Sequence, residues 1–218
     1  MRYAVLVMKE RILEASPHVG TQLAVPGPAD RLARAISIVG APPVLIVPLI
    51  AFAAWYSEES GPPIVRGALA FFAATALIPC LFIYGMFRTG RVSNPSLPKR
   101  SERLQPALFA VVCSLAAYPV LQAIGSAQVY VHLDAGLLIQ MVLLAVVTIW
   151  WKISYHAAGA AGLTLAMLAW GGATPALPLA MLALLIGWAR VRLERHTPAQ
   201  VAAGWMSALP LCWWIWPR

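Results

Sequence analysis

Charge is scarce in this chain, and acidic charge is scarcest. Only 11% of the 218 residues are Asp, Glu, Lys or Arg, against about a quarter in a soluble domain. Asp and Glu together number eight, and Asp30 and Asp134 are the only aspartates. That excludes the paired Asp-rich motifs with which prenyltransferases hold a Mg²⁺-diphosphate, and the Asp cluster of a CDP-alcohol transferase. Cysteine is also rare. Cys80, Cys113 and Cys212 stand singly inside apolar runs, without metal-ligand spacing or a disulfide framework. Neither a metal nor a cofactor is expected. A cleavable signal peptide is not expected either, because residues 1–15 carry Lys9, Glu10, Arg11 and Glu14 and lack a long apolar core. No internal repeat is visible.

Hydrocarbon dominates the remainder. The chain is 61% hydrophobic with mean hydropathy +0.75, well above the 45–50% apolar content of an ordinary domain. The expectation is an all-helical, polytopic membrane protein. The net charge of +8 on so apolar a chain argues against a nucleic-acid partner. Such cations set orientation or hold anionic lipid headgroups. A membrane span needs about 20 predominantly apolar residues. Runs of this kind cover residues 33–56, 64–87, 106–124, 133–151, 156–170, 175–189 and 200–216. The first contains Pro42, Pro43 and Pro48, tolerable in a membrane helix and able to kink it. The fifth and sixth are short and joined by Gly171 and Gly172, as in a helical hairpin. Seven spans, or six if one run is half-inserted, make one membrane domain over residues 33–218. Residues 1–32 form a tail, within which residues 3–15 have the pattern of an amphipathic surface helix. The aromatic residues Trp150, Trp151, Trp213, Trp214 and Trp216 fall at span ends, as in an interfacial belt.

The connectors are sorted by charge. Residues 57–63, 125–132 and 171–174 hold no Lys or Arg. The other set holds Arg88, Arg91, Lys99, Arg100 and Arg103, then Lys152, then Arg190, Arg192 and Arg195. Lys9, Arg11, Arg31 and Arg34 of the N-terminal segment fall on the same side. The positive-inside rule makes that side cytoplasmic, and the expected location is the plasma membrane of a prokaryote.

Three polar clusters therefore meet one membrane face: residues 94–106, 152–157 and 189–204. Together they offer several cations, one hydroxyl and two histidines. Arginine presents a planar donor fork that suits phosphate oxygens. Ser154 and the amides opening a helix there donate to an anion. Two histidines divide labour between nucleophile and proton donor. This pattern points to metal-free phosphoryl transfer through a phosphohistidine. Topology anchoring by Arg190, Arg192 and Arg195, and helix capping by Ser154, are the plainer explanations for each cluster alone.

The clusters resemble the type 2 phosphatidic acid phosphatase superfamily of membrane lipid phosphatases. Its second motif, Pro-Ser-Gly-His, corresponds to Ile153-Ser154-Tyr155-His156. Its third, Ser-Arg, five residues, His, three residues, Asp, corresponds to Ala189-Arg190, then His196, then Gln200, with Val201 and Gly204 in its usual continuation. Its first, Lys, six residues, Arg-Pro, meets a stretch from Lys99 to Pro106 that is one residue short and has Gln105 in place of the Arg. Arg100 or Arg103 is the substitute. The resemblance covers roughly residues 85–215 and implies roles. His196 would attack phosphorus, and His156 would protonate the leaving group. Arg190, Ser154 and a cation among Lys99, Arg100 and Arg103 would hold the phosphoryl oxygens, with Lys152 nearby. The family Asp accepts the other N–H of the nucleophilic histidine; Gln200 would fix the tautomer without adding charge. Replacing the equivalent Asp by its amide in a serine-protease triad costs about 10⁴ in rate. Glu194 or Glu102 is the available carboxylate. The implied partners are the bilayer and a phosphorylated lipid: phosphatidate, phosphatidylglycerophosphate or an isoprenyl (di)phosphate. A lipid-binding protein or transporter is the alternative that does no chemistry.

Overall fold

A computed structural model describes residues 27–211. The amphipathic segment at residues 3–15, Cys212, the three last tryptophans and the end of the seventh run lie outside the described residues. Those residues form eight helices and no strand. They are α1 (Pro28–Val39), α2 (Pro42–Tyr56), α3 (Pro62–Arg88), α4 (Leu104–Ala123), α5 (Gln128–Trp150), α6 (Tyr155–Gly171), α7 (Ala173–Arg192) and α8 (Pro198–Met206). Proline opens four of them at the first helical positions, where its missing N–H has no helical acceptor to lose. Within α3 one turn, Ala73–Leu77, is wound as π-helix.

The helices run back and forth between two ends. At one end Glu59 Oε1 accepts the Gln128 N–H at 2.6 Å, and Arg66 donates both Nε and Nη2 to the Gly125 carbonyl. At the other end lie the cation-rich connectors. There Arg192 pairs with Asp30 at 2.9 Å, which ties the start of α1 to the end of α7.

The first apolar run is not one straight helix. It breaks at Gly40 into α1 and α2, bent by 54°. A Cβ on Gly40 would stand 2.6 Å from Ile186 Cγ1, so this elbow is pressed onto α7. Pro42 and Pro43 then start α2, and Pro48 sits inside it without ending it. The fourth run is longer than hydropathy draws it. Helix α5 starts at Gln128 and takes in Asp134, which is fully buried and accepts a 2.8 Å hydrogen bond from Ser114 Oγ on α4. Four helices, α3, α4, α5 and α7, are long and apolar enough to cross a bilayer, and α1 with α2 make a fifth if they act as one bent span.

Lipid offers no hydrophobic force between helices, so small residues and close packing hold such bundles. Helix α6 shows this. Ala157, Ala158, Ala160, Gly162 and Ala166 are buried on it, and it packs against α2, α7 and α8. Around it Phe71, Leu121, Tyr130, Leu133, Ile186 and Leu211 form the core. Trp55, Leu69, Leu115, Leu177 and Met181 are exposed on the outside, as a lipid-facing surface requires. Helix α8 docks on the start of α6 through Gly204. A Cβ there would lie 2.6 Å from the Ser154 carbonyl oxygen and 3.0 Å from Ala157 Cβ. Backbone cannot yield cheaply, so Gly204→Ala should destabilise the protein by about 1–3 kcal/mol. Gly85→Ala, where a Cβ meets nothing within 4 Å, should be neutral or mildly stabilising. Thermal melts of both variants in one detergent check the contrast.

Candidate functional site

The third cluster is built by a helix end, a tight turn and a helix start. Helix α7 finishes at Arg192, and the Arg190 carbonyl accepts the amides of Arg195 and His196 at 3.0 and 3.2 Å. Glu194 takes a left-handed backbone (φ 54°) to make that return. Thr197 then caps α8 in a capping box with Gln200. His196 is trapped between these two devices and is buried.

Gln200 has two duties. Its Oε1 accepts the Thr197 N–H at 3.3 Å and lies 3.1 Å from His196 Nδ1. A carbonyl oxygen only accepts, so Nδ1 carries the ring proton and Nε2 keeps its lone pair. The ring is held neutral as well as oriented. Burial, then Arg103 and Arg190, push its pKa down to about 3, against an opposing pull from Gln200. A neutral imidazole with a free Nε2 is the form that acts as a nucleophile.

The second cluster reaches the same place from α6. His156, in its first turn, lies with His196, Arg190 and Arg103 on the wall of one cavity of ≈ 640 Å³. Leu45, Leu49, Ile83, Leu133 and Leu163 form much of its apolar remainder. Arg103 is buried and turns inward, donating Nε to the Leu97 carbonyl at 2.8 Å and Nη1 to the Ile153 carbonyl at 3.0 Å. Arg190 is equally buried, each arginine being 6% exposed. Its Nη1 donates to Ser37 Oγ at 2.7 Å, and its Nε is buried without a partner.

Among the described residues no carboxylate answers these charges. Among the described residues the ion pairs are Lys99 with Glu102 and Arg192 with Asp30. Glu102 also accepts from the Ser93 amide and hydroxyl, and Glu194 is exposed; neither lines the cavity. Lys152 stands at the margin. Burial, then Arg103, Arg190 and Arg195, hold its ammonium below the usual lysine range. Buried charge without compensation is costly, and guanidinium groups left this way have donors suited to an anion.

Other expected residues lie elsewhere. Lys99 is exposed. Arg100 donates to the Thr148 and Ile149 carbonyls and so caps α5. Of the three first-cluster cations, Arg103 is the one that reaches the cavity. Ser154 caps α6, its hydroxyl accepting the Ala157 amide at 3.3 Å, and it does not line the cavity. Two wall residues carried no sequence signal of their own. Ser37 is an isolated hydroxyl in the last turn of the amphipathic helix α1. Tyr155 lies inside the second cluster; Thr148 spends its hydroxyl proton on the Leu144 carbonyl, so Tyr155 donates to Thr148 Oγ1 at 2.8 Å. Among the described residues no group of three His, Cys, Asp or Glu converges as for a metal ion. No protein-family model, curated protein or solved structure matches the chain.

The His196 environment makes a pH prediction. Between its depressed native pKa, about 3, and about 6.5 in the unfolded chain, the unfolded state binds more protons. Stability from this group therefore rises with pH through that window and is lost as pH falls below about 6.5. Gln200→Glu keeps the capping box and sets a negative charge beside Nδ1. It should raise the His196 pKa and flatten the loss of melting temperature between pH 7 and 5. Melting curves of both proteins at several pH values, with His196 titrated by NMR, check this.

Proposed function

We propose that this chain is an integral membrane phosphatase acting on a lipid phosphate or diphosphate, and a divergent member of the type 2 phosphatidic acid phosphatase superfamily. One observation carries the reading: two histidines and two buried arginines without carboxylate partners share the wall of a cavity that is otherwise largely apolar. A ligand matching that cavity has an anionic, phosphate-like head and a hydrocarbon tail. Phosphatidate, phosphatidylglycerophosphate and isoprenyl (di)phosphates all have that form.

The residues divide the reaction as follows. Arg103 and Arg190 hold the phosphoryl oxygens and neutralise charge that grows in the transition state. His196 Nε2 attacks phosphorus. A P–N bond forms as the P–O bond to the leaving group breaks, and His156, protonated once the bound phosphate offsets the charge of the nearby arginines, gives that oxygen its proton. Water then attacks the phosphohistidine and passes a proton to His156. The P–N bond breaks, inorganic phosphate leaves, and His196 returns neutral. Gln200 keeps the Nδ1 proton in place but supplies no charge to the ring, which makes this a slower site than one with a carboxylate there. A carrier that binds phospholipid without hydrolysis is the second reading, favoured by Gln200 alone.

Six crossings fit this function. The 17 residues of α6 span about 26 Å, close to the roughly 30 Å hydrocarbon thickness. Joined to α3, α4, α5, α7 and the bent α1–α2 pair, α6 brings all three clusters to one face. The cationic connectors make that face cytoplasmic, in the plasma membrane of a prokaryote. The site then sits at headgroup depth with the tail between helices.

Purified protein in detergent should release phosphate from a panel of phosphorylated lipids with EDTA present, and vanadate should block it. His196→Ala and His156→Ala should each lower the rate by at least about 10³-fold. Unimpaired release by both variants would sink the assignment, and binding without release would favour the carrier.

A further inference from the structure

The cavity wall includes a residue from outside the three polar clusters. Ser37 is in the last turn of α1, 153 positions before Arg190. Its Oγ receives the Arg190 Nη1 hydrogen at 2.7 Å. That bond uses an oxygen lone pair and leaves the hydroxyl proton unspent. Other buried hydroxyls spend that proton on a protein acceptor, as Ser114 does on Asp134 and Tyr130 on the Ile50 carbonyl. Thr75, Thr148 and Thr164 each donate to the carbonyl four residues back. Ser37 makes no such bond among the described residues, and it faces the cavity that His156 and His196 line. The His156 ring is set against the Ser37 backbone.

Two features place Ser37 firmly. The Gly40 elbow presses α1 onto Ile186 of α7, and the Arg192–Asp30 pair fixes the other end of α1 to the same helix. The last two turns of α7 thus meet α1 and its elbow through Ile186, Arg190 and Arg192. Helix α1 is part of the site rather than a leader to it.

We infer that Ser37 is a phosphate-binding residue, taking Arg190 with its oxygen lone pair and giving its hydroxyl proton to a phosphoryl oxygen of the ligand. The bond to Ser37 aims one arm of the guanidinium. The hydroxyl adds a neutral donor among cations, which contributes direction without further charge repulsion. As regards turnover, this inference rests on the function proposed above; as regards anion binding, it stands on the Ser37–Arg190 geometry.

The test uses the full chain in detergent with two probes, vanadate binding and phosphate release from a lipid phosphate. Ser37→Ala should weaken vanadate binding by about 10- to 100-fold, as expected for a lost hydrogen bond to a charged group. In turnover the loss should fall mainly on KM, with the ligand-free protein still folded and its melting temperature lowered by the partner that Arg190 loses. Ser37→Thr, which keeps the hydroxyl, should restore most of the affinity. Wild-type binding by Ser37→Ala, or equal losses in the Ala and Thr variants, would overturn the inference while leaving the phosphatase reading intact. If the wild type releases no phosphate, the phosphatase reading fails, and the vanadate comparison alone decides the role of Ser37.

Discussion

Two buried guanidinium groups, held by carbonyl and hydroxyl oxygens rather than by carboxylates, are the constraint on which the rest of this structure depends. Arg103 spends two of its donors on the Leu97 and Ile153 carbonyls. Arg190 spends one on Ser37 and leaves Nε unpaired. A protein selected only for stability would pair or remove such charges, since a buried unpaired ion costs several kcal/mol. Among the described residues Glu102, Asp30 and Glu194 are turned elsewhere, and the positive field of the two arginines has no carboxylate partner. Burial, together with that field, keeps His196 neutral.

The helices serve this arrangement by bringing distant segments to one end. The turn after α7 delivers His196, the first turn of α6 delivers His156, and the loop before α4 delivers Arg103. Small residues on α6 let α2, α7 and α8 close around it. Gly204 allows α8 to rest on the Ser154 carbonyl, which sets the Gln200–His196 pair beside the start of α6. The capping box of α8 and the orientation of His196 use the same glutamine oxygen, so helix formation and tautomer choice are one event.

Much of this was legible in the chain. Apolar runs at residues 64–87, 106–124, 156–170 and 175–189 lie within two or three residues of α3, α4, α6 and α7, because length and hydropathy dominate a helix in lipid. Sorting of cations to alternate connectors anticipated the end at which Arg103, His156 and Arg190 meet. What hydropathy could not carry was three-dimensional. The elbow at Gly40 depends on Ile186, far along the chain. The burial of Asp134 within α5 depends on Ser114 of α4, which donates to it. The choice of Arg103 over Lys99 and Arg100 depends on which side chain finds inward carbonyl acceptors. Ser154 looked like an anion donor and is placed as a helix cap, while Ser37 gave no signal because its meaning lies in the partner across the bundle.

The central claim is that His196 carries the phosphoryl group. Its most direct measurement is rapid acid-free quenching of the protein during turnover of a phosphorus-labelled lipid phosphate, followed by peptide mapping. The account predicts a phosphoryl label on the His196 peptide, stable to base and lost in acid, and absent from His196→Ala. Phosphate release with no label on His196, or a label stable to acid on a hydroxyl residue, would contradict it.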